Sequence, residues 1–197
     1  SLITWKQFRR TTLQERTIIQ QQEALKQMAY HDSLTGLPNR RLLDDLVRRE
    51  VEQVRRHNIQ SSLIFCDIDD FKAVNDTFGH VAGDDLLRQF ATLLQEHMRI
   101  GDTLVRLGGE EFVILAPRTA AERAKHLAEW LRSIVAEHEF SVEANDSIKI
   151  TASFGVADLQ GTEGERDYYH NADQALYQAK QAGKNCVVVA NPKRAVI

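Results

Sequence analysis

The stretch TLVRLGGEEFVILA, residues 103–116, decides the fold. Two apolar runs, TLVRL and EFVILA, stand on either side of a glycine pair, which is the spacing of a β-hairpin. The second run opens on Glu110 and Glu111, adjacent like charges behind flexible Gly108 and Gly109. Stability alone does not favour such a beginning. Successive strand residues point to opposite faces, so the two glutamates are not expected to do identical work.

Working outward from the hairpin, SSLIFCDID (61–69) is a short apolar run ending in acids and reads as a buried strand. Helices are predicted over Gly83–Met98 and from Thr119 to about Glu137. FSVEANDSIKITASFGVA (140–157) alternates as two further strands around Asn145-Asp146. Tyr168–Ala182 reads as a helix ended by Gly183, and CVVVA (186–190) as a last strand. Upstream, HDSLTGLPNRR (31–41) has loop chemistry, with Asp32 or Ser33 as a cap and Gly36 and Pro38 as breakers. A helix follows over Arg40–His57, its apolar positions including Leu42, Leu43, Leu46, Val47, Val51 and Val54.

Residues 1–30 contain no Gly or Pro and read as one helix. Ile18, Leu25 and Met28 fit one heptad phase, but Gln14 and Gln21 occupy the other seam positions. A coiled-coil dimerisation linker and a solvated helix packed on its own domain both fit. The division expected is 1–30 as this helix, 31–192 as the main domain and 193–197 as a tail. Within the main domain the kernel is strand-helix-strand-strand-helix-strand, the ferredoxin-like order. The fold class is therefore α/β, a mostly antiparallel central sheet flanked by helices, preceded by the N-terminal helix.

Bulk properties narrow the function. A chain of 197 residues with a hydrophobic fraction of 43% suits one domain and an appendage. The net charge of −3 argues against a surface that coats nucleic acid. Cys66 and Cys186 lie far apart in or beside apolar runs, which suits reduced, buried thiols and a cytoplasmic setting. No apolar run approaches the roughly 18 residues of a membrane span. The first residue is Ser1, so an upstream sensor or membrane portion stays open.

Two acidic clusters carry the chemistry. One is DIDDFKAVNDTFGHVAGDD (67–85), at the end of the first strand; the other is Glu110 and Glu111. In a ferredoxin-like sheet these strands are neighbours, so Asp67 is expected to meet Glu110. Converging carboxylates raise one another's pKa unless a cation stands between them. Hard oxygen ligands at a sheet edge suit Mg²⁺. Taken singly, Asp69, Asp70, Asp76 and Asp85 read as solvated acids. The glycines let a phosphate or nucleoside approach the backbone closely, although a plain turn uses them too.

These blocks resemble the GGDEF domain of bacterial diguanylate cyclases, here in a GGEEF form. The resemblance runs in order through DSLTGLPNRR, DIDDFKAVNDTFGHVAGDDLL, RLGGEEF, SFGVA and ADQALYQAKQAGKN, from residue 32 to residue 185. It implies that Asp67, the Ile68 carbonyl and Glu110 hold Mg²⁺, two ions per site with Mn²⁺ able to substitute, and that Glu111 assists as base or metal ligand. Asn75 and Asp84 would read guanine; an ionised Asp84 is acceptor-only and matches the adjacent N–H donors of guanine's Watson–Crick edge. Without the resemblance, Asn75 reads as a loop cap and Asp84 as a helix N-cap. Lys72, Lys180 and Lys184 resemble phosphate-contacting positions, Lys184 standing where many members carry Arg.

The implied reaction condenses two GTP into cyclic di-GMP and two pyrophosphates at a homodimer interface. The tetrapeptide RIGD resembles the family's RxxD inhibitory site, with Arg99 and Asp102 binding the product; a turn following a helix end explains it too. A further family arginine falls at Trp130 by spacing, with Arg132 nearby. Two rival readings are a catalytically silent domain that binds GTP or cyclic di-GMP as a regulatory module, and a nucleotide cyclase or polymerase palm for another substrate. Asn75 and Asp84 argue against the last.

Overall fold

A computed structural model describes residues 2–143, 146–159 and 165–190. In chain order the elements are α1 (Leu2–Tyr30), α2 (Arg40–His57), β1 (Ser61–Ile68), α3 (Phe71–Glu96), β2 (Thr103–Gly108) and β3 (Glu111–Ala116). They continue with α4 (Ala121–Glu137), β4 (Phe140–Glu143), β5 (Asp146–Ile148), β6 (Ala152–Leu159), α5 (Glu165–Gln181) and β7 (Val187–Val189). The central sheet has the order β2-β3-β1-β6-β7. All its pairings are antiparallel except β6 with β7, which are parallel and joined through α5. The four strands β6-β1-β3-β2 are the ferredoxin-like sheet expected from the hairpin outward.

The apolar run of β1 is continuous because both of its faces are covered. Ile64, Cys66 and Ile68 belong to the core that includes Phe90 and Leu94 of α3 and Leu131 of α4. Leu63 and Phe65 face the other way, with Leu43 and Val47 of α2 and Tyr168, Ala172 and Leu176 of α5. Period-2 alternation thus splits one strand between two helix layers. Cys66 is buried and Cys186 half-buried, and both are free thiols.

Three local expectations change. Asn39, not Asp32 or Ser33, caps α2, its side chain accepting from the backbone N–H groups of Arg41 and Leu42 at 3.0 and 3.2 Å. Helix α3 begins at Phe71 rather than Gly83, and breaks at Gly79 (φ 83°, ψ 165°). Phe71, Val74 and Phe78 pack on the core at helical spacing, a stripe disguised by the acids and Asn75 between them. The segment read as two strands holds three. β4 and β5 form a separate two-stranded sheet, and only β6 joins the central one. Gln89 of α3 holds β4 aside, donating to Ser141 O at 2.8 Å and accepting from Ser141 N at 2.9 Å. Asn145 and the tail 193–197 lie outside the described residues.

α1 is helical throughout, and Ile18, Leu25 and Met28 are all exposed. Among the described residues no helix is long and apolar enough to cross a membrane.

Helix α5 lies hard against β6 at Gly155. A Cβ there would come 2.2 Å from Leu176 N and 2.3 Å from Ala172 O, both backbone atoms of α5. Nothing flexible can yield. Gly155→Ala should therefore lift α5 from the sheet and cost about 2–3 kcal/mol, measured by urea unfolding; a loss below about 0.5 kcal/mol, the size of a neutral surface change, would contradict this packing.

Candidate active site

Several element ends converge at one edge of the sheet: the C-termini of β1 and α5, the N-termini of β3, β6 and α3, and the tip of the β2–β3 hairpin. β1 ends in Asp67, Ile68 and Asp69, and α5 sends Lys180 toward them. The Lys180 ammonium pairs with Asp67 Oδ1, stands 3.4 Å from the Ile68 carbonyl oxygen and bridges to Asp69 Oδ1 at 3.0 Å. Beside this group Lys184 pairs with Asp70 at 2.6 Å. Two of the three lysines expected on phosphate are thus held by carboxylates here. Lys72, in the first turn of α3, is exposed.

Asp69 overturns its reading as a solvated acid. It is 5% exposed and accepts from Thr151 Oγ1 (2.7 Å), Ser153 Oγ (2.7 Å), Asn185 N (3.0 Å) and Lys180. Burial alone would raise its carboxyl, but these hydrogen bonds outweigh burial and hold it below the ordinary range. Asp76 and Asp85 are exposed as expected, and Asp70 is exposed although paired.

At the hairpin tip Gly108 and Gly109 take φ of 147° and 52°, the left-handed region that glycine enters at little cost. Glu110 lies in this turn and β3 begins at Glu111, so the strand-face contrast between the two glutamates does not apply. The register sets Glu111, not Glu110, opposite Asp67, while Glu110 accepts the Ile68 N–H through its carbonyl at 3.4 Å. The carboxylates still sense one another. Burial pushes Asp67 up, the Lys180 ammonium pulls it back, and the charges of Glu110 and Asp69 push further, leaving it above its ordinary range. Glu111 is raised first by burial and then by Asp67, Asp173 and Glu110.

Arg106 builds the turn, a role that no feature of the sequence announced. It is 8% exposed and donates from Nε (3.0 Å) and Nη2 (2.7 Å) to Gly109 O, while Nη1 reaches Asp32 Oδ1 at 2.8 Å. Asp32 also accepts from Thr35 N and Oγ1 at 2.9 and 2.7 Å. The 31–38 loop and the glycine turn are thereby one structure, closed by a guanidinium fork that lysine could not reproduce. Burial would raise Asp32; the Thr35 hydrogen bonds and the Arg106 bond and charge overcome it, so the net shift is downward.

On α3, Asn75 and Asp84 flank the same patch. A Cβ on Gly83 would come within 1.9 Å of Asn75 Oδ1, so only glycine lets that side chain lie across the helix beside Asp84. Asp84 is exposed inside α3, which removes its reading as an N-cap.

Arg99 and Asp102 sit at the other end of the sheet, about 20 Å away by the length of a six-residue strand. Arg99 Nε donates to Asp102 Oδ1 at 2.9 Å, and Nη2 to Pro117 O at 2.9 Å and to Thr119 Oγ1. Asp102 Oδ2 is buried without a hydrogen-bond partner beside a depression of about 260 Å³ lined also by Gln95, Met98, Ile100 and Leu104. Arg132 turns away to Glu129 and Asn185, both at 2.9 Å. Trp130 is exposed, edge-on to His97 at 5.8 Å.

Among the described residues no three acidic, His or Cys side chains stand together as a ready metal site. The donor set nevertheless fits a hard cation. The Asp67 carboxylate and the Ile68 carbonyl converge on a single positive group, the Lys180 ammonium, and oxygens of this kind could also hold a hard cation.

A family model described as diguanylate cyclase, GGDEF domain, matches residues 29–186. The chain is 41% identical over 168 residues to the diguanylate cyclase DgcP of Pseudomonas aeruginosa, covering 85% of this chain and 25% of that protein. It resembles the solved coiled coil and GGDEF domain of DgcB from Caulobacter crescentus in complex with c-di-GMP, with a TM-score of 0.85 and 30% identity over 91% of this chain and 95% of that one. It also resembles the active GGEEF domain of a Vibrio cholerae diguanylate cyclase, with a TM-score of 0.73 and 39% identity over 80% of this chain and 99% of that one. The chain spans between a quarter and about half the length of the curated relatives it matches.

The Asp32–Arg106 pair makes the turn's support measurable. Removing the charge by Asp32→Asn leaves a buried guanidinium short of a partner, at a cost of about 2–3 kcal/mol at pH 7. A carboxyl depressed in the folded state contributes stability above its unfolded value of 3.8, lost as pH falls through the folded value. The gap between wild type and variant in urea unfolding should therefore narrow below pH 4; a constant gap down to pH 3 would contradict the pairing.

Proposed function

The chain belongs to the diguanylate cyclase GGDEF family, and on that premise we propose that it condenses two GTP molecules into cyclic di-GMP with release of two pyrophosphates. The observation that carries this reading is the pair of oxygens, Asp67 Oδ1 and Ile68 O, turned on one cation beside a glycine turn where nothing lies within 4 Å of the position a Cβ would take. In this reading Asp67, Ile68 O and Glu110 hold Mg²⁺ or Mn²⁺, two ions per site. When bound, the metal draws charge from the phosphate oxygens and lowers the pKa of the attacking hydroxyl.

The protein's own groups do the rest. Asp84 accepts from guanine's N–H donors and the Asn75 amide completes the contact with the base, and adenine, offering an acceptor where Asp84 needs a donor, leaves polar groups unpaired. Gly108 and Gly109 give the nucleotide its room, and Lys72, Lys180 and Lys184 neutralise the triphosphate. Glu111, facing Asp67 across the β1–β3 ladder, takes the proton of the ribose 3′-hydroxyl as that oxygen bonds to the α-phosphorus and pyrophosphate leaves.

Each chain binds one GTP, so two copies must face one another for both bonds of the ring to form. α1, with Ile18, Leu25 and Met28 exposed, is the element suited to arranging them, downstream of a sensor in a longer protein. Product bound at Arg99 and Asp102 restrains turnover; the buried Asp102 Oδ2, lacking a partner, is suited to accept from guanine. A domain that consumes GTP fits a cytoplasmic location, whether or not a membrane anchor lies elsewhere in a longer protein.

With Mg²⁺, GTP should yield cyclic di-GMP and ATP no cyclic product, followed by chromatography of the products. Glu110→Gln should lower turnover at least about a hundredfold. Asp102→Ala should leave the initial rate intact and abolish the slowing that accompanies product accumulation. Consumption of both nucleotides alike, full activity in Glu110→Gln, or unchanged slowing in Asp102→Ala would each remove the corresponding part of this reading.

A further inference from the structure

Asp69 has no place in the reaction as described, yet it is the most heavily hydrogen-bonded carboxylate in the site. Its two oxygens take Thr151, Ser153 and the Asn185 N–H, and its own N–H donates to Thr151 O at 2.8 Å. Its anchors come from the start of β6 and the α5–β7 loop, all fixed to the sheet. Such a carboxylate cannot swing. Its remaining contact is Lys180, at 3.0 Å.

Lys180 is built the opposite way. Its backbone is packed in place: α5 is seated on Gly155 and the neighbouring Ala179 is fully buried. The side chain is a four-carbon stem ending in a compact charge with three rotatable donors, able to exchange partners without moving the helix. Its ammonium rests on the two oxygens read as cation ligands, and no divalent ion can use them while it stays. One ammonium also undercompensates its surroundings. Asp67 and Asp69 both pair with it, two carboxylates to one ammonium. A divalent ion is the better counter-charge for this cluster.

We propose that Lys180 is a movable counter-ion and Asp69 the positioning residue that tethers it: the ammonium closes the oxygens of Asp67 and Ile68, yields them to an arriving divalent cation and nucleotide, and remains held by Asp69 where it meets the triphosphate. This rests on the reading of those oxygens as metal ligands. It accounts for a lysine that would otherwise be both competitor of the metal and ligand of the substrate. The two tasks are sequential, and the fixed Asp69 keeps the charge within reach for the second.

The test uses Mn²⁺ alone, titrated without nucleotide and followed by the loss of the free ion's paramagnetic resonance signal. Asp67→Asn should weaken Mn²⁺ binding, and Lys180→Met should tighten it about tenfold or more by removing a like charge from the site. If Asp67→Asn leaves binding unchanged, the metal reading itself fails and this proposal with it. If Asp67→Asn weakens binding while a folded Lys180→Met, checked by its melting temperature, binds no tighter than wild type, the counter-ion alone is overturned.

The tether is tested by GTP affinity in the presence of Mg²⁺. Asp69→Asn and Lys180→Met should each weaken it about tenfold, and the double variant no more than Lys180→Met alone, since one acts through the other. Additive losses would show that Asp69 serves the fold and not the lysine, and would overturn its positioning role.

Discussion

Carboxylates gathered at one end of a sheet repel unless a positive group stands among them, and the candidate site is arranged around that constraint. Asp67, Asp69, Glu110 and Glu111 are delivered by β1 and the adjoining hairpin, whose antiparallel pairing leaves no other place for them. Lys180 answers in part, at the cost of standing on the oxygens proposed as metal ligands. The tension is not spread evenly. Asp69, saturated with donors, stays below its ordinary range, while Asp67 and Glu111, less well supplied, are pushed above theirs. A carboxylate left under-compensated in a folded chain lowers stability, and its retention is understandable where a cation is to be bound.

The site's precision comes from groups outside it. Arg106 fixes the Gly109 carbonyl and ties the turn to the 31–38 loop, so the left-handed glycines do not simply leave the hairpin loose. Gly83 and Gly155 act by the absence of a side chain: one admits Asn75 across α3, the other admits α5 onto β6. Glycine therefore acts in two ways here, conformational at the turn and steric at the two helices. The RIGD segment is anchored independently, at the far end of β3 through Pro117 and Thr119.

Much of this was legible in the sequence. The hairpin, the buried strand at 61–69 and the kernel order followed from apolar spacing, and α2 was bounded correctly. Asp67 stood out because it closed an apolar run next to a second acidic pair. Asp69 and Arg106 were illegible for a common reason: a single charge inside a motif resembles a solvated one until its partners are known. Those partners, Thr151 and Ser153 for Asp69 and Asp32 for Arg106, lie far away in sequence. The helical stripe of Phe71, Val74 and Phe78 was hidden by the polar residues between them, so the helix was expected only from Gly83, beyond the bend at Gly79. Nor could the sequence reveal that Lys180 and Lys184 rest on carboxylates rather than standing free.

The account is tested most directly by a crystal structure of the chain with Mg²⁺ and a non-reactive GTP analogue. It predicts guanine against Asn75 and Asp84, the phosphates over the Gly108–Gly109 turn, metal on Asp67 and Ile68 O, and the Lys180 ammonium withdrawn from Asp67 but still on Asp69. A nucleotide lodged away from the glycine turn, or a Lys180 that keeps Asp67 with metal and analogue bound, would contradict it.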